Sequence, residues 1–470
     1  MNDSTPDHPR PPEQQGRPGQ RRRRRQRQLR LALDRATTIL RPETAVAPAS
    51  EEEVSAEMAR HYRWNLAVNL LDGTAFWFAL SFISSSTIVP LFISKLTDSR
   101  LLIGLAALVA QGGWFLPQLF TARWIEGRKR VKPVVVNLGF FLERLPTYLL
   151  PVAALLALRS PALALAVFFA GYLWRGLGAG AVGPAWQELV ARCFPVKRRG
   201  RFLGTANFLG SMAGISGAAL STQFLEDFAF PDNFTYAFAI AAGATTLSWF
   251  FLALTREPAQ MAGGARQGNR QFLKNLPGVV GRDQNFRRYL LARLLMALGS
   301  MGLGFVTVAA VERWQVADST VGLYTAAYWL GHSLGNLSFG FMADRLGHKL
   351  ALELGAWAAA AAFALAWLAP APGWMFLVFV LTGIYVSATL SSGILVTLEF
   401  SAPQERPAYL AIANSTVGVA NMVAPLAGAW LAGAGYAWTF AVATGFSLAA
   451  VAVMHWQVYE PRTHQEVYGP

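Results

Sequence analysis

Apolar residues in this chain fall in long runs separated by short polar clusters. The runs lie at roughly 66–93, 101–122, 133–157, 162–188, 203–225, 235–255, 289–311, 321–343, 350–370, 374–398, 408–432 and 436–457. About 20 apolar residues in a helix cross the hydrocarbon core of a bilayer. The pattern therefore predicts twelve transmembrane helices and an all-α membrane protein. Gly and Pro inside several runs agree, because helices in lipid tolerate them. The longest internal polar segment divides the chain into six helices and six. The expected units are a tail at 1–60, a bundle at 61–256, a central loop at 257–288, a second bundle at 289–460 and a short tail at 461–470.

Composition sharpens this picture. Hydrophobic residues make up 53% of the chain and charged residues 14%, well below the roughly 25% of soluble domains. The net charge of +14 suggests a polynucleotide partner until its location is considered. If the N-terminal tail is inside, 34 of the 41 Lys and Arg fall on that side. Lys95, Arg100, Arg159 and Arg313 lie on the other, and three more lie within runs. Excess Lys and Arg on the cytoplasmic side sets orientation. Both termini are thus expected in the cytoplasm, in a multi-pass protein of the plasma membrane, with no nucleic-acid partner.

The tail is rich in Pro, Gln, Arg and Glu, a composition expected to be disordered. Its "RRRRRQRQLR" (21–30) either binds anionic lipid or serves as an orientation signal. No cleavable leader is expected there, since no apolar run with a cleavage site follows. The single Cys193 is placed in the fourth, cytoplasmic loop, so no intrachain disulfide or Cys-based metal cluster is possible. No metal or cofactor is expected. With no nucleotide loop, no His-Glu-x-x-His and no extramembrane domain, an enzyme is not expected either.

The halves carry a faint repeat. "GRK" (127–129) after the second run answers "GHK" (347–349) after the eighth, and "AN" at 206–207 answers "AN" at 413–414. Repeats of this kind let secondary transporters build a central site between two rocking bundles. The stretch "GFMADRLGHK" (340–349) puts Asp, Arg, His and Lys into one short loop, with glycines at 340 and 347. It resembles the loop signature of the major facilitator superfamily, Gly-x-x-x-Asp-Arg-x-Gly-Arg/His-Arg/Lys. The resemblance extends over about 60–460 and implies two six-helix bundles working as a transporter. It also implies a cytoplasmic gate formed by Gly340, Asp344, Arg345 and Gly347 with Glu399 and Arg406. Gly340 should let the eighth helix approach a neighbour closely, and Gly347 should permit a turn at positive φ. Asp344 should face the N-terminus of the eleventh helix, and Arg345 should meet Glu399. The first-half counterpart, "FTARWIEGRKR", departs from the pattern, with Phe120, Trp124 and Ile125 at the Gly, Asp and Arg positions and Glu126 beside them.

Ionisable residues at bilayer depth cost at least ~2.5–3.5 kcal/mol each and are functional candidates. Here they are Asp72, Glu143, Arg144, Arg175, Arg293 and His332. At about 1.5 Å per residue, Asp72 and Arg175 lie at nearly the same depth. Their pairing would resemble the acid–arginine coupling pair of proton-driven sugar symporters and also of multidrug exporters of the superfamily. A structural ion pair is the alternative, and Glu143 competes for Arg175. Glu143 and Arg144 are adjacent, about 100° apart on an α-helix, and so are not expected to be each other's best partner. His332 is either a proton carrier or a hydrogen-bonded packing residue. Arg293 is close enough to the cytoplasmic end to snorkel and is left out of the site.

The antiporter signature of the fifth helix is absent. Gly210, Gly214 and Gly217 are read instead as close helix packing. Gln111, Asn207, Tyr385, Asn414 and Asn421 either line a substrate cavity or bridge helices. Together these features point to a monomeric, proton-coupled secondary transporter of a small organic solute, with import or export undecided. The alternative is a transporter-like sensor or assembly protein that binds without carrying.

Overall fold

The computed structural model describes residues 51–115, 117–118, 121, 130–258, 278–401 and 405–461. They are helical throughout, with no strand among them. The helices, in chain order, are Glu51–Phe82 continued by Ile88–Leu96, then Arg100–Phe115, and a third rod built from Lys132–Gly139, Phe140–Arg144, Leu145–Tyr148 and Leu149–Leu156. Pro161–Cys193, Val196–Asp227 and Asp232–Ala253 complete the first six. The seventh is Gln284–Gly299 continued by Ser300–Gly302 and Val306–Trp314. Asp318–Leu346, His348–Leu368, Trp374–Glu399, Arg406–Ala434 and Tyr436–Trp456 follow. Eight of these rods are long and apolar enough to cross a membrane. The first is interrupted at 83–87, the second is described only to Phe115, and the fifth and eighth fall short of that apolarity.

Local signals explain several ends. Ser160 precedes Pro161 and accepts from Leu163 N (3.4 Å), and Asp283 accepts from Phe286 N (2.8 Å). The first helix begins at Glu51, inside the segment read as disordered tail to 60, because the helix runs on past its apolar portion. The third rod is distorted where Pro146 cannot donate to the turn before it. A π-turn at Phe140–Arg144 passes into a 3₁₀ turn at Leu145–Tyr148.

Contacts between the six-helix halves run along two seams. In one, Gly104, Gly112 and Gly418 let the second and eleventh helices close on Ala429, Met422 and Phe115. In the other, the fifth helix meets the eighth, with Thr222 against Gly322 and Ser211 Oγ 3.1 Å from His332 Nδ1. The breaks in the first and seventh helices face each other. The carbonyl of Ser86, freed by the first break, accepts from Thr307 Oγ1 (2.7 Å) just beyond the second. Thr325 Oγ1 reaches Thr87 Oγ1 (2.7 Å), Lys95 Nζ lies 2.7 Å from Asp318, and Arg100 lies 3.6 Å from Glu312. All these bonds lie in the half of the molecule away from the "GFMADRLGHK" loop. At the loop end, a Cβ on Gly204 of the fifth helix or on Gly340 of the eighth would meet nothing within 4 Å. No hydrogen bond or ion pair among the described residues joins the halves there.

Candidate functional site

The ionisable residues of the first half form a row across three helices. In the π-turn, Glu143 and Arg144 are ion-paired and both buried. This corrects the expectation from α-helical spacing, because a π-turn winds more loosely and brings adjacent side chains closer in angle. Arg144 also lies over the ring of Phe76 (5.8 Å). One turn before Phe76, buried Asp72 accepts from Ser248 Oγ of the sixth helix (2.6 Å). The charges acting on Asp72 are Arg144 and then Glu143; those acting on Arg175 are Glu143 and then Arg144. Both members of the Glu143–Arg144 pair therefore act electrostatically on Asp72 and on Arg175. Asp72 and Arg175 make no ion pair with each other, in place of the expected direct pairing; Asp72 is held by Ser248 instead.

His332 sits on the fifth–eighth seam. Its Nδ1 lies 3.1 Å from both Ser211 Oγ and Asn336 Nδ2, and its ring packs with Trp77, Tyr328 and Trp329. The small positions of the fifth helix seat side chains rather than a helix backbone alone. Trp77 lies on Gly210, Trp329 on Gly214, and Phe78 with Ser81 on Gly217. Trp77 belongs to the first half and Trp329 to the second; their rings meet edge to face at 5.4 Å.

In the signature loop, Gly347 has φ 95° and ψ 152°, a region open essentially to Gly alone. Its missing Cβ also leaves room for the Glu460 carboxylate. Gly347→Ala is expected to cost ~1–3 kcal/mol, read as a lower unfolding temperature in detergent. Glu460→Ala on that background should recover the steric share; no recovery would show that Glu460 is not what Ala collides with.

Of the other predicted gate residues, Gly340, Arg345 and Glu399 can be placed. Gly340 faces open space rather than a close neighbour. Arg345 is exposed and makes no ion pair with Glu399, which instead lies 3.9 Å from His348 Nε2. The side chains of Asp344 and Arg406 lie outside the described residues, as does the first-half counterpart over 122–129.

Of the polar cavity candidates, Gln111 Oε1 accepts from Ser300 of the second half (3.4 Å). Asn207 and Asn421 are half-buried and Asn414 is exposed. Tyr385 is buried and bridges the tenth and seventh helices, donating to Met296 O (3.1 Å), so it is a brace rather than a lining residue.

Two readings are corrected outright. Cys193 is the last residue of the fourth helix and is fully buried, its Sγ 3.6 Å from Arg256 O, rather than in a loop. Arg293 does not snorkel: it is 8% exposed and fills the space over Gly393, where a Cβ would lie 2.8 Å from Nη2.

Sequence reasoning also missed Glu257. Its side chain is 2% exposed, accepts from Val131 N (2.9 Å) and Lys132 N (2.9 Å), and lies 3.1 Å from Arg192 Nη1. A signal was available. "TREP" (255–258) after the sixth helix matches "VYEP" (458–461) after the twelfth. In both halves an Asn of the first helix grips the backbone two residues before that Pro. Asn65 makes both bonds with Arg256 (2.9 and 2.8 Å), and Asn285 both with Tyr459 (3.1 and 2.9 Å).

Residues 289–468 match the family model of the Major Facilitator Superfamily. No curated protein matches the sequence. Among solved structures, a mutant of the nucleoside transporter NupG superposes with a TM-score of 0.63 at 13% identity, covering 84% of this chain and 98% of that one. A D-xylose–proton symporter gives 0.62 at 15% identity, covering 85% and 99%. A bacterial homologue of the human lysosomal transporter Spinster gives 0.59 at 16% identity, covering 84% and 96%. At such identities the likeness is one of fold. The second half thus matches the Major Facilitator Superfamily model, and the fold over both halves is like that of these solved transporters.

Proposed function

We propose that this membrane transport protein is a secondary active transporter that carries a small organic solute by alternating access, coupled to protons. The arrangement described here is its cytoplasm-open state. The one-sided seam carries this reading. Threonine hydrogen bonds and two ion pairs join the halves at one end, while Gly204 and Gly340 face open space at the other. Two bundles that touch at one end only can rock about a central site. Orientation follows from the Lys and Arg distribution, which places the loop end and both termini in the cytoplasm of a plasma-membrane protein. The Arg-rich tail then meets anionic lipid at the inner surface.

The test is uptake into sealed proteoliposomes with an imposed pH gradient. A solute that stabilises the detergent-solubilised protein should accumulate, and collapse of the gradient should abolish accumulation. Binding without accumulation under either polarity of gradient would favour the sensor reading. Buried Cys193 cannot report topology, so the companion measurement places a cysteine at exposed Arg201 in a Cys193→Ser background. An impermeant thiol reagent should label Arg201→Cys in everted vesicles and not in intact cells. Labelling of intact cells would reverse the orientation.

A further inference from the structure

Of the four ionisable residues at bilayer depth in the first half, three have a partner at bonding distance and one does not. Asp72 is held by Ser248, and Glu143 and Arg144 hold each other. Arg175 makes no hydrogen bond or ion pair among the described residues, and its Nε is buried without a partner. Its strongest countercharge, Glu143, is already committed to Arg144. A guanidinium stays charged at any physiological pH and presents five N–H donors. At membrane depth such a group is tolerated where a water-filled cavity or an anion meets it.

A second unpartnered group stands beside it. Tyr172 precedes Arg175 by three residues, so the two share a helix face. Tyr172 is 3% exposed, its hydroxyl makes no hydrogen bond among the described residues, and it lies within electrostatic reach of Arg175. A planar fork with a hydroxyl alongside is a donor set for a carboxylate.

We propose that Arg175, assisted by Tyr172, anchors the anionic group of the transported solute, which is a small organic monoanion of the carboxylate class. The inference rests on the transporter reading and adds a substrate class to it. Charge arithmetic supports it. Asp72, Arg144, Glu143 and Arg175 sum to zero when Asp72 is ionised and to +1 when Asp72 holds a proton. A monoanion at Arg175 restores neutrality only in the protonated cluster. One proton and one monoanion therefore travel together without net charge.

The test is thermal stabilisation of the full-length protein in detergent by lactate, benzoate and nicotinate, each beside its neutral carboxamide. At least one acid should raise the unfolding temperature by several degrees while its amide does not. Arg175→Gln should lose that shift and Arg175→Lys should keep part of it; an unchanged elution profile and unliganded unfolding temperature show that the variants fold. Asp72→Asn, neutral at every pH, should bind the acid several-fold more tightly at neutral pH, because the cluster then keeps the positive charge that the monoanion offsets. Equal shifts with acid and amide, no shift with any of the acids, or an acid shift surviving in Arg175→Gln would each overturn the proposal. Acid binding without gradient-driven uptake would sink the transporter reading and leave the anion site standing. Uptake confined to neutral or cationic solutes would do the reverse.

Discussion

Asp72→Asn is expected to abolish accumulation of solute against its gradient while leaving exchange between equal concentrations intact. Asp72 is buried in the first helix, held by Ser248 and flanked by Arg144. Burial favours a neutral carboxyl and a nearby guanidinium favours a carboxylate. A movement of the first helix against the third changes the balance and with it the proton occupancy. Asparagine keeps the hydrogen bond to Ser248 and removes the titration, so the rocking can continue without a proton. One coupled proton supports about tenfold accumulation per pH unit of gradient, and the variant should show none. If Asp72→Asn accumulates solute like the wild type, Asp72 is not the carrier and Glu143 becomes the residue to test. If exchange is lost as well, the substitution has damaged the binding site rather than the coupling.

The second large effect is on stability. Glu257→Ala removes a carboxylate that satisfies the first two N–H groups of the third rod and pairs with Arg192. Breaking a buried ion pair from one side costs ~3–5 kcal/mol, because the other charge is left without its partner. Arg192 keeps a bond to the half-exposed Glu188 (2.7 Å), which places the expected loss at the lower end, about 3 kcal/mol. Glu257→Gln can still accept from the backbone and should lose less. Thermal unfolding in detergent measures both. An unfolding temperature for Glu257→Ala within a degree of the wild type would show that this junction bears no weight.

The order of helices was readable from the apolar runs because lipid imposes a length and an apolarity on every span. Their ends were not. Helices such as Glu51–Phe82 and Pro161–Cys193 continue past their apolar portions, and this hid the burial of Cys193. The turn at Gly347 was readable, since a glycine between two runs has a local cause. The identities of the ionisable residues at depth were readable too, but their partners were not. Glu143 and Arg144 meet because Pro146 loosens the turn before it, which α-helical geometry cannot anticipate. Arg293 is buried because Gly393, a hundred residues later, leaves a hollow for it. The ion pairs Lys95–Asp318 and Arg100–Glu312 join residues more than two hundred positions apart, and nothing local marks them.

The two asparagine grips have a kinematic consequence. Asn65 ties the first helix to Arg256, three residues beyond the sixth, and Asn285 ties the start of the seventh to Tyr459, three residues beyond the twelfth. Each half is thereby closed into a ring of chain by two bonds between an Asn side chain and the backbone. Relative displacement must then be taken up by sliding along the seams. There the threonines, the glycine seats and the salt bridges can all be remade at a new register, and no backbone-to-backbone bond among the described residues crosses from ring to ring.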